Sequence, residues 1–194
     1  HPSAGNHDNT LANALMYYYG SQNKPFVYRC INRLDRDTTG LTIVAKHALA
    51  GGILGNAVAK RAIHRTYYAV CSGCTPACMR ISAPIARKDA STIERCVDFK
   101  RGENAVTDFI RIKYNPDNNL SLVKLRLLTG RTHQIRVHMK YIGFPLIGDF
   151  LYNPDYTYIS RQALHSGRLV FTHPVTGQKM NLISDIPSDM KSLF

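Results

Sequence analysis

The chain has 194 residues, enough to bury the core of one domain or of two small ones. Hydrophobic residues make up 44% and charged residues 20%, which excludes a disordered or collagen-like chain. Lysine and arginine number 25 against 13 acids, so the net charge of +12 favours polyanionic partners such as RNA or DNA. No stretch of 18 apolar residues occurs, and the sequence therefore predicts no membrane span.

The hydrophobic pattern predicts four elements in the first 62 residues: a helix from Thr10 to Tyr19, strands at 27–31 and 41–45, and a helix at 47–62. Thr10 is the expected N-cap of the first helix. A polar run from Asn32 to Gly40 separates the two strands. Three glycines weaken the second helix by roughly 1 kcal/mol each relative to alanine.

Short strands dominate the remainder of the chain. The pattern predicts strands at 67–71, 120–127, 163–171 and 180–183, further short β segments before Lys113, and a helix at 132–141. Many short strands with few helices are typical of an α+β fold with a mixed, mainly antiparallel sheet and flanking helices. No linker rich in proline, glycine or serine divides the chain, so we expect one domain over residues 1–194.

Five cysteines occur, at positions 30, 71, 74, 78 and 96. An odd number argues against a disulfide scaffold and predicts reduced thiols in the cytoplasm. The spacing of Cys71, Cys74 and Cys78 resembles that of zinc ligands, with Cys96 or His64 as a fourth. Because a lone Cys-x-x-Cys without a second matching pair is a weak signal, we expect no metal.

Three polar segments are candidates for the functional site. The loop Asn32–Leu41 carries two carboxylates and two guanidiniums between apolar segments, where catalytic groups are often displayed. The segment Thr129–His138 carries two arginines and two histidines, which could bind phosphates or pair with a loop carboxylate. The third, Leu164–Pro174, contains two further histidines. Each also fits a plainer interpretation: surface charges that pair with each other, a capped helix start, or structural histidines.

Taken together, these segments resemble the RluA-type pseudouridine synthases, especially the branch that modifies large-subunit ribosomal RNA. Asn32–Leu41 matches that family's His-Arg-Leu-Asp-x-x-Thr-Ser-Gly-Leu loop, with asparagine in place of histidine. Gly130–His138 matches Gly-Arg-Thr-His-Gln-Ile-Arg-Val-His, Gly143–Asp149 matches Gly-x-Pro-x-x-Gly-Asp, and Leu164–Pro174 matches the family's later His-Pro motif. The opening His1-Pro2-Ser3 is similar to the family's first motif. The resemblance implies a catalytic domain that lacks its first strand and any N-terminal RNA-binding domain.

The resemblance also implies roles for individual residues. Asp35 corresponds to the covalent catalyst and Arg136 to the arginine that holds it ionised. Tyr67 would stack on the uracil or move a proton, whereas alternation sends the neighbouring Tyr68 to the other face of its strand. A separate group would bind the RNA: Arg33, which helps to displace the target base, Arg131 and His133, and Leu164 as an apolar pocket wall.

The function that the resemblance implies is isomerisation of uridine to pseudouridine without an organic cofactor or a metal. The substrate would be structured RNA, with ribosomal RNA favoured over transfer RNA, flipped out of its stack and bound by a cytoplasmic monomer. Asp35 attacks the ribose C1′ or the base, or promotes an elimination at the sugar. Two alternatives remain: an RNA-cleaving enzyme that uses His133, His138 or His165 as acid and base, and a non-catalytic RNA-binding module.

Overall fold

The computed structural model describes residues 7–89 and 93–194, so the His1-Pro2-Ser3 motif lies outside the described residues. The chain divides into two compact units. The small unit comprises His1–Leu34, Thr42–Ile63 and Thr172–Lys179, and the large unit comprises Asp35–Leu41, His64–Phe171 and Met180–Phe194. Among the described helices, none reaches the length and apolar character that crossing a bilayer requires.

The small unit contains helices α1 (Leu11–Gly20) and α2 (Ala48–Ala59). The predicted N-cap of α1 is confirmed, because the Thr10 hydroxyl accepts from the amide of Asn13 and the Asn13 side chain accepts from the amide of Thr10. α2 confirms the second predicted helix and begins after His47, whose Nδ1 accepts from the amide of Ala50.

The prediction of strands at 27–31 and 41–45 is wrong. These segments meet at a single bridge between Cys30 and Val44. The amide of Ile43, the residue before Val44, donates to the side-chain Oδ1 of Asn32 at 2.8 Å. The Thr42 hydroxyl donates to the Asn32 carbonyl at 2.6 Å. Local side-chain bonds therefore compete with an extended ladder at the point where the polar loop begins.

The strands form one large sheet and one short pair: β1 (Thr39–Gly40), β2 (His64–Ser72), β3 (Cys78–Ser82), β4 (Ile85–Arg87), β5 (Arg95–Val97), β6 (Val106–Asn115), β7 (Leu120–Leu127), β8 (Leu164–Thr172) and β9 (Lys179–Ile183). The large sheet has the order β1-β8-β2-β7-β6-β3, with β9 paired to β8, while β4 pairs with β5. β1 runs parallel to β8, whereas β2 pairs antiparallel with β7 and β8, and β6 with β3 and β7. With helices α3 (Gln134–Tyr141) and α4 (Ser188–Lys191), this confirms the α+β prediction.

The centre of the sheet supplies the rigid support for the site. β7 alternates as predicted, with Val123 and Leu125 fully buried and Arg126 exposed. α3 differs from the expected one-sided helix, because every residue from 134 to 139 is buried. Its polar members are satisfied internally: Gln134 donates to the Thr107 hydroxyl at 2.9 Å, and His138 bonds the same hydroxyl at 2.9 Å. A helix buried in this way fixes its side chains firmly.

Candidate active site

The loop that carries Asp35 is fastened to β8. The amide of Thr38 donates to the Asp35 carbonyl at 3.1 Å, which closes a turn. The buried Gln162 then donates to the Thr38 hydroxyl at 2.7 Å. Gly40 follows in the left-handed region with φ 103°, and a Cβ there would lie 2.3 Å from the Ser166 carbonyl. Glycine is therefore required where the loop joins the parallel β1–β8 pair, and this junction sets the position of Asp35.

Arg136 on α3 lies between two carboxylates. Its side chain is 1% exposed, and its Nη1 donates to Asp35 Oδ2 at 3.2 Å. Its Nε and Nη2 donate to Asp149 Oδ2 and Oδ1 at 2.7 Å and 2.8 Å, a bidentate pair. Burial opposes the charge of Arg136, but its two carboxylate partners outweigh burial and raise its pKa. The prediction that Arg136 contacts Asp35 is confirmed.

Asp149 is a site residue that the sequence analysis missed. Its side chain is fully buried, and its Oδ1 also accepts from the amides of Leu151 and Tyr152 at 3.0 Å and 3.2 Å. These bonds fix the carboxylate, and the carboxylate in turn fixes the guanidinium of Arg136. The available signal was the Gly143–Asp149 motif, of which Asp149 is the last residue.

One oxygen of the Asp35 carboxylate accepts a hydrogen bond, and the other is open to a bound molecule. Oδ2 faces Arg136, and the side chain is 20% exposed. Within residues 7–89 and 93–194, no hydrogen bond to Asp35 Oδ1 is formed. An ionised carboxylate that is oriented through one oxygen leaves the other free to react with a bound molecule.

His133 also faces Asp35, with its Nε2 3.9 Å from Asp35 Oδ2. Its Nδ1 lies 2.9 Å from the Tyr152 hydroxyl, which accepts from the amide of Arg95 at 2.9 Å. The Tyr152 hydroxyl thus bridges the His133 ring and the backbone of Arg95, and it fixes the orientation of the ring beside Asp35. Burial lowers the pKa of His133 to about 4; the Asp35 carboxylate opposes this shift and the charges of Arg136 and Arg95 add to it, so the ring is neutral near neutral pH.

Tyr67 lies on β2, 5% exposed, with Leu125 and Ser166 as its strand neighbours. Burial raises the pKa of its phenol, the nearby Arg65 guanidinium opposes the rise, and the Asp35 carboxylate adds to it. Among the described residues no hydrogen bond joins Tyr67 to Asp35, and the role expected of Tyr67 stays a prediction. Tyr68 packs instead against the core cluster that contains Val70, which confirms the predicted alternation.

The contacts of the other expected RNA-binding residues do not test the roles expected of them. Arg131 forms an ion pair with Glu103 rather than with Asp35. Leu164 is buried on β8 opposite Ala69, and within the described chain no hydrogen bond joins it to Asp35. Arg33 is exposed on the small unit. The roles expected of Arg33, Arg131 and Leu164 stay predictions.

The other histidines of these motifs are structural in their contacts. His138 bonds the Ala83 carbonyl through Nε2 at 2.9 Å, and His165 bonds the Thr39 hydroxyl at 2.8 Å. Burial lowers the pKa of both. All five cysteines are free thiols, and in the described ranges no three His, Cys, Asp or Glu side chains gather as metal ligands would.

The site therefore combines an α+β domain with a carboxylate that a buried arginine binds through one oxygen only. A site of this class is suited to covalent catalysis. The model of the RNA pseudouridylate synthase family matches residues 1–141, and the chain belongs to this family. It is 39% identical over its whole length to the uncharacterized RNA pseudouridine synthase YhcT of Bacillus subtilis (strain 168), and 38% identical to ribosomal large subunit pseudouridine synthase D of Zymomonas mobilis.

A solved structure extends the likeness to the fold. Human RNA Pseudouridylate Synthase Domain Containing 1 superposes with a TM-score of 0.77 at 26% identity, covering 92% of this chain and 74% of the human one. The chain spans 64% of the length of YhcT and 65% of that of the Zymomonas protein. The comparisons thus confirm the family and the fold, while the activity and its substrate are matters for proposal.

Proposed function

We propose that residues 1–194 form the catalytic domain of an RNA pseudouridine synthase, an isomerase that converts uridine to pseudouridine within RNA, with Asp35 as its covalent catalyst. The observation that carries the proposal is the Asp35 carboxylate, which Arg136 holds through Oδ2 at 3.2 Å while Oδ1 stays open. Membership of the family supplies the reaction class. A non-catalytic RNA-binding module would gain nothing from a carboxylate that faces a polyanion.

The isomerisation requires one bond to break and another to form. The glycosidic bond between C1′ and N1 is cleaved, the uracil turns, and C5 bonds to C1′ as the C5 hydrogen leaves and N1 takes up a proton. Asp35 supplies the electron pair that starts this exchange and is released at its end. Tyr67, Arg136 and His133 line or orient the carboxylate. The proton lost from C5 is balanced by the proton gained at N1, so the RNA keeps its mass.

The proposal is tested by Asp35→Asn, which removes the reactive oxygen and keeps the shape of the side chain. The matched control is Asp37→Asn, since Asp37 lies in the same loop, is 43% exposed, and has φ 68°, a conformation that asparagine tolerates well. We expect Asp35→Asn to fold and bind RNA but form no pseudouridine, and Asp37→Asn to keep its activity. Turnover by Asp35→Asn, read by chromatographic separation of nucleosides with deamidation excluded by mass spectrometry, would refute the assignment.

We further propose ribosomal RNA as the substrate, with transfer RNA as the second candidate, and a monomer acting in the cytoplasm. The name of the Zymomonas relative supports the ribosomal substrate, the net charge of +12 supports a polyanion, and the free cysteines support a reducing compartment. Pseudouridine mapping in ribosomal and transfer RNA, with and without the gene, tests the substrate.

RNA cleavage by histidine acid and base is the less favoured alternative. His138 and His165 are each hydrogen-bonded through both ring nitrogens and buried, so neither presents a free nitrogen to an RNA strand. Burial lowers the pKa of His133 to about 4, too low for a base that works near neutral pH. Gel analysis separates the two functions, because isomerisation leaves strand length unchanged and cleavage shortens it.

A further inference from the structure

The small unit carries basic residues with almost no acids to match them. Its three segments contain one carboxylate, Asp8, and seven basic residues: Lys24, Arg29, Arg33, Lys46, Lys60, Arg61 and Lys179. In the large unit, by contrast, Arg80, Arg131 and Arg161 each pair with a carboxylate. Across the described part of the small unit, Asp8 forms no ion pair with any of the seven. Unpaired positive charge of this density attracts phosphates.

Three of these basic residues line one pocket. A cavity of about 580 Å³ lies between the end of α1, residues 24–29 and the start of α2, with Lys24, Arg29 and Lys46 in its wall. Arg29 is held in place, since its Nη1 donates to the Val27 carbonyl at 3.1 Å. The first turn of α2 contains no acid, so the positive end of its helix dipole adds to the potential.

The rest of the pocket wall is apolar and partly aromatic. Met16 and Val27 line it with exposed side chains, 48% and 58% accessible. Phe26 also lines the pocket, and its ring is fixed by stacking on Tyr19 with centroids 4.3 Å apart and planes 14° apart. A preorganised ring beside basic groups is the combination that binds unpaired nucleotides, whose bases stack while their phosphates are neutralised.

We propose that this pocket is a second RNA-binding site, which receives an unpaired nucleotide and its flanking phosphates and shares no residue with the Asp35 cluster. The inference rests on the proposed function, since it assigns to the same RNA substrate a contact beyond the target uridine. Lys24 and Lys46 bind phosphates, Arg29 binds a phosphate or stacks, and the wall of Phe26 and Val27 receives the base. Its volume lies in the range of pockets that hold molecules of nucleotide size, about 300–1,000 Å³.

The test compares two pairs of lysines. Lys24→Ser with Lys46→Ser alters the pocket, and Lys60→Ser with Lys179→Ser removes the same charge from exposed positions of the same unit outside it. Binding is measured by fluorescence anisotropy with a labelled single strand of about ten nucleotides over a series of salt concentrations. Loss of two phosphate contacts should flatten the log–log slope by about 1.4 and weaken binding about 25-fold at 0.1 M salt, taking equal affinities at 1 M.

A third variant, Phe26→Leu, tests the base. It keeps the apolar character and should weaken binding roughly five-fold or more, with the salt slope unchanged. Equal losses for the two lysine pairs, or none for the pocket pair, would overturn the site, and an unaffected Phe26→Leu of intact fold would overturn the base contact. Tighter binding of polyphosphate than of RNA would likewise overturn it.

Turnover separates this inference from the proposed function. The pocket pair should raise KM for pseudouridine formation and leave kcat near that of the unaltered chain. A chain that binds the strand through the pocket yet forms no pseudouridine counts against the proposed function alone. A chain that forms pseudouridine with the pocket pair at unaltered KM and affinity counts against the pocket alone.

Discussion

Asp149→Asn removes the charge that holds Arg136 in two of its three carboxylate hydrogen bonds. The asparagine oxygen can still accept from the amides of Leu151 and Tyr152, but its NH₂ group faces a guanidinium that also only donates. Both partners are buried, at 1% and 0% exposure, so water cannot replace the lost acceptor. Breaking a buried ion pair from one side costs about 3–5 kcal/mol, a large part of a typical stability of about 5–15 kcal/mol.

Urea unfolding followed by circular dichroism measures this loss. With an m value of about 2 kcal/mol per molar, the midpoint should fall by about 1.5–2.5 M. The matched control is Asp189→Asn, because Asp189 accepts a bidentate pair from Arg161 at 2.8 Å and 2.9 Å but is 42% exposed. That exposed pair should contribute less than about 1 kcal/mol. Similar midpoint shifts for the two variants would refute the idea that burial makes the Asp149–Arg136 pair essential.

Three further outcomes follow from the site. Arg136→Lys keeps the charge but loses the planar fork, so stability should fall by about 2 kcal/mol or more and pseudouridine formation should be lost; wild-type midpoints in urea would contradict this. The pKa of His133 is about 4 in the folded chain against an ordinary 6.5, so between pH 6.5 and pH 4 this histidine is protonated in the unfolded chain but not in the folded one. Stability should therefore drop from pH 7 to pH 5 by up to about 2 kcal/mol more in the unaltered chain than in His133→Gln, by urea midpoints. Arg33→Ala should slow modification of structured RNA more than of RNA with an unstacked target uridine, and equal losses would make Arg33 an ordinary phosphate contact.

Sequence patterns predicted the helices and strands that are determined by neighbouring residues. The capping box at Thr10 fixed the start of α1, and alternation along residues 120–127 predicted β7 with its buried face. The strands expected at 27–31 and 41–45 do not form, because the buried Asn32 side chain accepts a hydrogen bond from the backbone amide of Ile43. No periodicity in the sequence encodes this contact. α3 was expected to be half-buried, since its polar residues find partners only in distant strands.

The site was predictable only as far as the motifs extend. Asp35 and Arg136 are 101 positions apart, and their contact followed from the family resemblance rather than from any local signal. Asp149 was overlooked because a lone aspartate after a glycine is also a common turn residue. The position of the His133 ring depends on Tyr152 and Arg95. These three residues come from three separate segments, so only the fold brings them together.

The two carboxylates around Arg136 have different tasks: Asp149 orients the arginine, and Asp35 is the proposed catalyst. Asp149 occupies the Nε and Nη2 edge of the guanidinium and is itself fixed by two amides, so it sets the orientation of Arg136. Asp35 is left with a single hydrogen bond from Nη1 to its Oδ2, so its Oδ1 stays open. Because the structural task falls on Asp149, Asp35→Asn should unfold at nearly the same urea concentration as the unaltered chain, whereas Asp149→Asn should not. The reverse order of stabilities would show that Asp35, rather than Asp149, anchors the arginine.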